Sequence, residues 1–215
     1  MALAPEKKII LYPALAQYIE DLQEEHTAIS EARKDVLKKL TAFIESKTAE
    51  AKRAELVFIC THNSRRSHIA QLWAQALADY YTIPGVISYS GGTEATAFNL
   101  RAVLAMKSMG FDINAVTEGD NPVYEVRYAD DAEPMRIYSK TFYAPGNPEK
   151  DFCAVMTCSD ADQHCPVVEG AASRISLPYD DPKNFDGTPF ESKKYAERAR
   201  QIGRELSYAF SLIRR

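Results

Sequence analysis

The chain has few cysteines, no long hydrophobic run and no excess of positive charge. Four cysteines in 215 residues are too few for the disulfide framework of a small secreted domain, so we expect a reducing, cytoplasmic compartment. No apolar run approaches the ~18–20 residues of a membrane span, and the first residues lack the apolar centre of a signal peptide. A formal net charge of -4 gives no general attraction to nucleic acid or an anionic membrane, and we expect neither as a partner.

The length and composition fit one globular domain with an appendage. A chain that is 46% hydrophobic and 26% charged can bury a substantial core. Residues 14–52 contain no glycine or proline and repeat apolar residues at helical spacing, which predicts a helical hairpin with Ser30 as the N-cap of its second helix. We therefore assign residues 1–53 to an N-terminal helical extension and residues 54–215 to the main domain.

Strands alternate with helices in the main domain. Residues 55–60 form a short apolar run typical of a buried strand, and residues 69–81 continue as a helix with one apolar face. Residues 121–150 contain two alternating runs, which favours a β-hairpin insertion. Further strands are predicted at 86–90, 152–158 and 174–177. This alternation predicts an α/β fold with a parallel sheet.

The loop after the first strand has the composition of an anion-binding site. Cys60 ends the strand, five residues intervene, and Arg66 and Ser67 open the helix. The unpaired N–H groups and the dipole of a helix N-terminus attract an anion, and Arg66 can add a two-pronged contact. The same field favours the thiolate of Cys60, to which Ser67 can donate a hydrogen bond. The alternative is a buried cysteine beside solvated arginines; a nucleotide P-loop is excluded because GxxxxGK[ST] is absent.

The remaining cysteines and the nearby histidines give no metal-binding pattern. Cys158 and Cys165 are separated by six residues, which is longer than the ~2–4 residues between paired zinc ligands, and a fourth ligand is not evident. Cys153 lies within a predicted strand, which indicates packing. His62 and His68 are interpreted as polar groups of the loop region, so no metal site is predicted.

Four segments from about Leu56 to the C-terminus resemble motifs of one superfamily. VFICTHNSRRS is similar to the anion loop of the low-molecular-weight protein tyrosine phosphatases, and SGGTEATAFNLRAVLAMKSMGFDI to the second strand and helix of their arsenate reductase branch. VMTCSDADQHCP resembles the redox segment of thioredoxin-coupled arsenate reductases, and YDDPKNFDGT the Asp-Pro acid loop. The resemblance implies a four-stranded parallel sheet flanked by helices, to which this chain adds the N-terminal extension and the β-rich insertion.

The resemblance also implies roles for individual residues. Cys60 would be the nucleophile, Arg66 the oxyanion clamp and Ser67 the support of the thiolate, while Asn63 would hold the shape of the loop. The residues implied to surround the oxyanion are Thr61, His62, Asn63, Ser64, Arg65, Arg66 and Ser67.

The resemblance assigns the general acid to Asp181, which precedes Pro182. From the residues alone, an Asp-Pro pair after a strand is more often a turn, and Asp180 could compete for the role. The aromatic pair that tyrosine phosphatases often carry after Asp-Pro is missing, since Lys183 and Asn184 follow instead. This departure weakens the phosphotyrosine interpretation.

Cys158 and Cys165 distinguish the two branches of the superfamily. A reductase would use both: Cys158 would attack the arseno-adduct on Cys60, and Cys165 would then move the disulfide to Cys158–Cys165 for reduction by thioredoxin. We therefore expect a thioredoxin-coupled arsenate reductase. A phosphatase would hydrolyse phosphomonoesters through a phosphocysteine at Cys60 alone. A third hypothesis is a non-catalytic oxyanion or redox sensor that signals through the N-terminal helices.

Other positions depart from the pattern of the superfamily. His62 replaces a usual glycine, so the backbone there must avoid a positive φ or tolerate strain. Arg65 stands where both branches often carry a second cysteine, and it adds positive charge over the anion. Gln71 replaces a carboxylate that some arsenate reductases place near a potassium ion, so we assign no cofactor, with potassium as the alternative. Residues 1–53 could pack on the sheet or form a homo-oligomer.

Overall fold

The computed structural model describes residues 8–165 and 167–214; residues 1–7 of the predicted extension, and Pro166 at the end of the redox motif, lie outside these ranges. The helices are α1 (Pro13–Glu24), α2 (Glu31–Ala49), α3 (Arg66–Tyr80), α4 (Leu100–Ser108), α5 (Ser159–His164) and α6 (Glu191–Ser211). The strands are β1 (Ala54–Cys60), β2 (Val86–Gly92), β3 (Asp112–Ala115), β4 (Tyr124–Arg127), β5 (Met135–Ile137), β6 (Phe152–Met156) and β7 (Ala171–Ser176). None of the described helices combines the length and apolar character needed to cross a membrane.

The central sheet has four parallel strands in the order β2-β1-β6-β7. The inner strands β1 and β6 are buried almost throughout, which explains why their sequences are continuous apolar runs without alternation. All four carboxyl ends meet at one edge, where parallel α/β sheets bind their ligands. The predicted fold class is confirmed, and Cys60 lies at the carboxyl end of an inner strand.

The insertion and the segment just before it form a second, antiparallel sheet of three strands in the order β3-β4-β5. The predicted hairpin corresponds to β4 and β5. The third strand, β3, was not predicted, because only Ile113 of its four residues is buried and so short a strand shows no alternating pattern.

Helices α1 and α2 share one hydrophobic core with the rest of the chain. Ser30 caps α2 as predicted, its Oγ accepting a hydrogen bond from the Arg33 N–H at 3.4 Å. Leu15 of α1 and Leu40 of α2 belong to the same buried cluster as Trp73 of α3 and Leu206 of α6. The apolar faces of the extension are therefore covered within the chain. The boundary at residue 53 and the homo-oligomer stay predictions.

Candidate active site

The loop between β1 and α3 joins the predicted nucleophile to its supporting residues. Cys60 is 3% exposed, and its Sγ lies 3.1 Å from the Oγ of Ser67. The same Oγ accepts a hydrogen bond from Asn63 Nδ2 at 2.9 Å. Asn63 adopts a φ of 43°, the left-handed region that asparagine tolerates better than most residues. The strained position is therefore Asn63, and His62 avoids a positive φ.

Both loop arginines face the carboxylate of Asp181. Arg66 donates from Nη2 to Asp181 Oδ2 at 2.6 Å and from Nη1 to the Tyr179 carbonyl at 2.8 Å. The Nε of Arg65 lies 3.9 Å from Asp181 Oδ1. A small, narrow cavity is lined by Cys60, His62, Ser64, Arg65, Arg66 and Asp181. The predicted nucleophile, clamp and acid therefore converge on one cavity, whose two arginines carry the charge that attracts an oxyanion.

The structure distinguishes Asp181 from its neighbour Asp180. The side chain of Asp180 is 91% exposed and pairs with Arg198 at 3.2 Å on the surface. The side chain of Asp181 is 22% exposed, and its second oxygen accepts from the Lys183 N–H at 3.0 Å, which starts a 3₁₀ turn. Only Asp181 is thus placed at the cavity.

Cys158 lies beside the anion loop, but beyond the end of its strand. The predicted strand over 152–158 stops at Met156, because after Thr157 the chain turns into α5. The Cys158 Sγ accepts a hydrogen bond from the Ala161 N–H at 3.4 Å and thereby caps this helix. The Sγ also lies 3.4 Å from Thr61 Oγ1. Cys158 is fully buried against the loop that begins at Cys60.

Cys165 ends α5 and is half-buried. Arg174 holds this end of the helix, donating to the carbonyl of Cys165 at 3.1 Å and to the carbonyl and carboxylate of Asp162 at 2.7 and 2.6 Å. All four cysteines are free thiols. Burial raises the pKa of the Cys153 thiol to about 12, so Cys153 is a packing residue as predicted and is not suited to thiol chemistry.

His68 and Gln71 are both buried close to the loop. Desolvation, aided by the charge of Lys140, lowers the pKa of the fully buried His68 to about 3, so the ring is neutral and packs edge-on against Phe98 at 4.4 Å. In residues 8–165 and 167–214, no three His, Cys, Asp or Glu side chains are grouped to hold a metal ion. Gln71 donates to the Ser88 carbonyl at 3.1 Å, while its buried Oε1 has no hydrogen-bond partner. Gln71 thus offers a neutral oxygen where a carboxylate would serve a potassium ion, and the absence of a cofactor stays a prediction.

The sequence did not reveal Tyr195 as part of the site. Its place in the apolar stripe of α6 indicated packing, yet its hydroxyl accepts from Arg65 Nε at 3.0 Å and donates to Asp186 at 2.8 Å. Burial and the hydrogen bond to Asp186 raise the pKa of Tyr195 to about 12, so the hydroxyl stays protonated. Tyr195 therefore holds Arg65 at the cavity, a role that no local pattern could signal.

Comparison with known proteins finds relatives that are named arsenate reductases. The chain is 31% identical over 153 residues to an arsenate reductase from Bacillus subtilis (strain 168), covering 70% of this chain and 91% of the relative. It is 30% identical over 139 residues to an arsenate reductase from Staphylococcus aureus (strain Newman), covering 63% of this chain and 84% of the relative. No family model matches the chain.

Solved structures with a similar fold include two low-molecular-weight phosphatases. The phosphotyrosine phosphatase from Vibrio cholerae O395 superposes with a TM-score of 0.47 at 13% identity, covering 72% of this chain and 93% of that one. The protein tyrosine phosphatase from T. tengcongensis gives 0.47 at 14% identity, covering 72% and 96%. By its sequence relatives, which it covers almost entirely, the chain belongs to the arsenate reductase family that its motifs resemble.

Proposed function

We propose that this protein reduces arsenate to arsenite, with Cys60 as nucleophile and Cys158 and Cys165 as a thiol relay. The observation that carries the proposal is the position of Cys158, whose Sγ lies 3.4 Å from Thr61 Oγ1, the residue next to Cys60. A phosphatase needs no second thiol at this position, whereas a reductase must remove two electrons from its own thiols. Membership of the arsenate reductase family supports the same conclusion.

The first step forms a bond between sulfur and arsenic. Arsenate would bind in the cavity beside Arg66, near the N-terminus of α3, where an anion is stabilised. The thiolate of Cys60, supported by Ser67 at 3.1 Å, attacks the arsenic. One arsenate hydroxyl then leaves as water, taking its second proton from Asp181. Arsenic is still pentavalent at this point.

The second step is the reduction. The thiolate of Cys158 attacks the Sγ of Cys60, and the sulfur–arsenic bond breaks with its electron pair on arsenic. Arsenic leaves as trivalent arsenite, and the two thiols become a Cys60–Cys158 disulfide, so the two electrons gained by arsenic are those lost by sulfur. Cys158 is already buried against the loop, so this step requires only a short movement toward Cys60.

The third step requires α5 to unwind. Cys165 must attack Cys158 to release Cys60 as a thiolate. Seven residues of helix span about 10 Å, whereas the Cα atoms of a disulfide lie ~4.4–6.8 Å apart. The six residues of α5 that separate the two thiols must therefore leave the helical conformation before the Cys158–Cys165 disulfide forms.

The final disulfide must be reduced by an external dithiol, for which we propose thioredoxin. Cys60 and Cys158 are buried, while Cys165 is half-buried at the end of a short helix. An incoming thiolate would reach Cys165 most readily and would leave Cys158 reduced. A cytoplasmic location follows from the same requirement, because a reducing compartment supplies such a dithiol.

Phosphomonoester hydrolysis is the second candidate function. Asp181 touches Arg66 and faces the cavity of Cys60, where it could protonate a leaving alcohol and then activate water against a phosphocysteine. This reaction would not use Cys158. The two candidate functions therefore differ in whether the reaction requires Cys158.

The test compares arsenate reduction, driven by thioredoxin, thioredoxin reductase and NADPH, with hydrolysis of an aryl phosphate. We expect arsenite formation by the wild type, its loss in Cys60→Ser and Cys158→Ser, and retention in the control Cys153→Ser. In Cys165→Ser, arsenite formation should stop after one turnover, with a Cys60–Cys158 disulfide detectable by mass spectrometry. Arsenate turnover at the wild-type rate in Cys158→Ser would contradict the relay, and aryl phosphate hydrolysis without arsenate reduction would favour the phosphatase.

A further inference from the structure

Two consecutive residues of the insertion hold two consecutive residues of the anion loop. Ser139 donates from Oγ to the carbonyl of His62 at 3.1 Å. The backbone N–H of Lys140 donates to Asn63 Oδ1 at 2.8 Å. The outer wall of the loop is thus bound by a segment almost eighty residues away in the chain, which belongs to the insertion and is bridged to Gly92 at the end of β2.

Two groups hold this segment of the insertion: Gly92, whose N–H donates to the Lys140 carbonyl at 2.9 Å, and the surface side chain of Asn121. Asn121 accepts from the Ser139 N–H through Oδ1 at 3.0 Å and donates from Nδ2 to the Ser139 carbonyl at 2.8 Å. One amide side chain therefore binds both backbone groups of Ser139, as a neighbouring strand would. Ser139 is 2% exposed, whereas Asn121 is exposed, so Asn121 anchors a buried segment from the surface.

The contact with Lys140 decides how the amide of Asn63 is oriented. Because Asn63 Oδ1 accepts the Lys140 N–H, its Nδ2 is the group that faces Ser67 Oγ, at 2.9 Å. A hydroxyl that accepts from Nδ2 has its own proton free for another acceptor. The remaining neighbour is Cys60 Sγ, at 3.1 Å. With the amide reversed, Asn63 Oδ1 would instead take the proton of Ser67 away from the sulfur.

We propose that Asn121 is a positioning residue for the nucleophile: it fixes Ser139 and Lys140, which set the amide of Asn63 and direct the hydroxyl of Ser67 onto Cys60. The inference rests on the proposed role of Cys60 as nucleophile. The insertion would thus contribute to the reaction by orienting the hydrogen bonds from Asn63 to Ser67 and from Ser67 to the sulfur of Cys60.

The experiment measures how fast iodoacetamide alkylates Cys60 in the full-length protein, as a function of pH, by mass spectrometry. The loss of about one net hydrogen bond corresponds to a change of about fivefold. We expect Asn121→Ala to alkylate about fivefold more slowly at neutral pH and to move the midpoint of the profile to higher pH. Asn121→Asp keeps the acceptor for the Ser139 N–H and should recover part of the rate.

The matched control is Asn147→Ala. Asn147 also belongs to the insertion and also makes two side-chain hydrogen bonds, donating from Nδ2 to the carbonyls of Ser90 and Phe142, both at 3.0 Å, but its described hydrogen bonds do not reach residues 60–67. We expect its alkylation profile to match that of the wild type. Thermal unfolding curves are recorded for each variant to check that it is folded.

Two results would overturn the inference. One is a wild-type profile in Asn121→Ala, and the other is an equal shift in Asn147→Ala, which would indicate general loosening of the insertion. A failure of the proposed role of Cys60 as nucleophile looks different: Cys60 of the wild type would then alkylate no faster than Cys165 and would not be protected by arsenate or phosphate. The two failures are therefore distinguishable in the same experiment.

Discussion

Arg66 binds Asp181 directly, with 2.6 Å between Nη2 and Oδ2. The residue assigned to clamp the oxyanion and the residue assigned to donate the proton are therefore partners before any anion arrives. Nη1 is bound to the Tyr179 carbonyl, so the guanidinium is held from two sides and keeps its orientation. An arriving oxyanion must share Arg66 with Asp181, which brings the leaving oxygen close to the acid.

We expect Asp181→Asn to reduce the rate of arsenite formation about 10²–10⁴-fold, because a positioned general acid contributes about this factor. The amide can still contact Arg66, so KM for arsenate should change much less than kcat. The measurement is steady-state kinetics with saturating reductant. Asp180→Asn is the matched control, since Asp180 is exposed and pairs with Arg198. Equal losses in the two variants would contradict the assignment of the acid.

Features of the fold that depend on neighbouring residues were predicted correctly. Ser30 caps α2 by accepting a hydrogen bond from a backbone N–H three residues away, so the local sequence contains both partners. Cys60 and Arg66 are placed by one buried strand and the helix that follows it. Cys60 and Arg66 come close together because one short loop joins the strand to the helix, and a short sequence motif can encode such a loop.

Contacts made across the fold could not be predicted from local patterns. Tyr195 reaches Arg65 across 130 residues, and Asn121 reaches Ser139 through an amide whose partners are backbone groups. The choice between Asp180 and Asp181 depends on which way the chain turns after β7. In each case the deciding partner lies on another element, and its chemistry gives no sequence pattern.

Arg174→Met should accelerate formation of the Cys158–Cys165 disulfide. Arg174 binds the carbonyls of Asp162 and Cys165 and the carboxylate of Asp162, so it stabilises the helical form of α5 that the relay must unwind. Methionine keeps much of the side-chain volume and removes these bonds. The rate is measured by quenching single turnovers with acid and mapping disulfides by mass spectrometry.

The control for this variant is Arg136→Met, which removes an exposed arginine of the insertion and should leave the rate unchanged. A slower third step in Arg174→Met would show that the intact helix, and not its unwinding, promotes the exchange. That result would remove the geometric argument for unwinding.

His68 should make the protein less stable as the pH falls. Its pKa is about 3 in the folded protein, because burial disfavours the charged ring, and about 6.5 in the unfolded chain. The stability that depends on the neutral ring is fully present above about pH 6.5 and is lost as the unfolded chain binds a proton below it. Between pH 6.5 and 5 the loss is about 2 kcal/mol, at about 1.4 kcal/mol per pH unit.

Urea unfolding of the wild type and of His68→Gln at pH 7 and pH 5 measures this effect. Glutamine does not titrate, so the difference between the two pH values should be about 2 kcal/mol smaller in the variant. Other titrating groups cancel in the comparison, since both proteins carry them. An identical pH dependence in the two proteins would mean that His68 is charged or hydrated in the folded state.

Leu40→Ala should destabilise the whole chain and not the N-terminal helices alone. Leu40 of α2 is fully buried in the cluster that contains Trp73 and Leu206, and removal of a buried leucine side chain costs about 2–5 kcal/mol. Because the cluster crosses the predicted boundary at residue 53, we expect one cooperative transition, detected identically by Trp73 fluorescence and by far-ultraviolet circular dichroism.

Leu104→Ala is the same substitution at a side chain that is 58% exposed, and its effect should stay within about 0.5 kcal/mol. Two separate transitions, with only the first moved by Leu40→Ala, would establish residues 1–53 as an independent unit and would leave the catalytic domain stable without it.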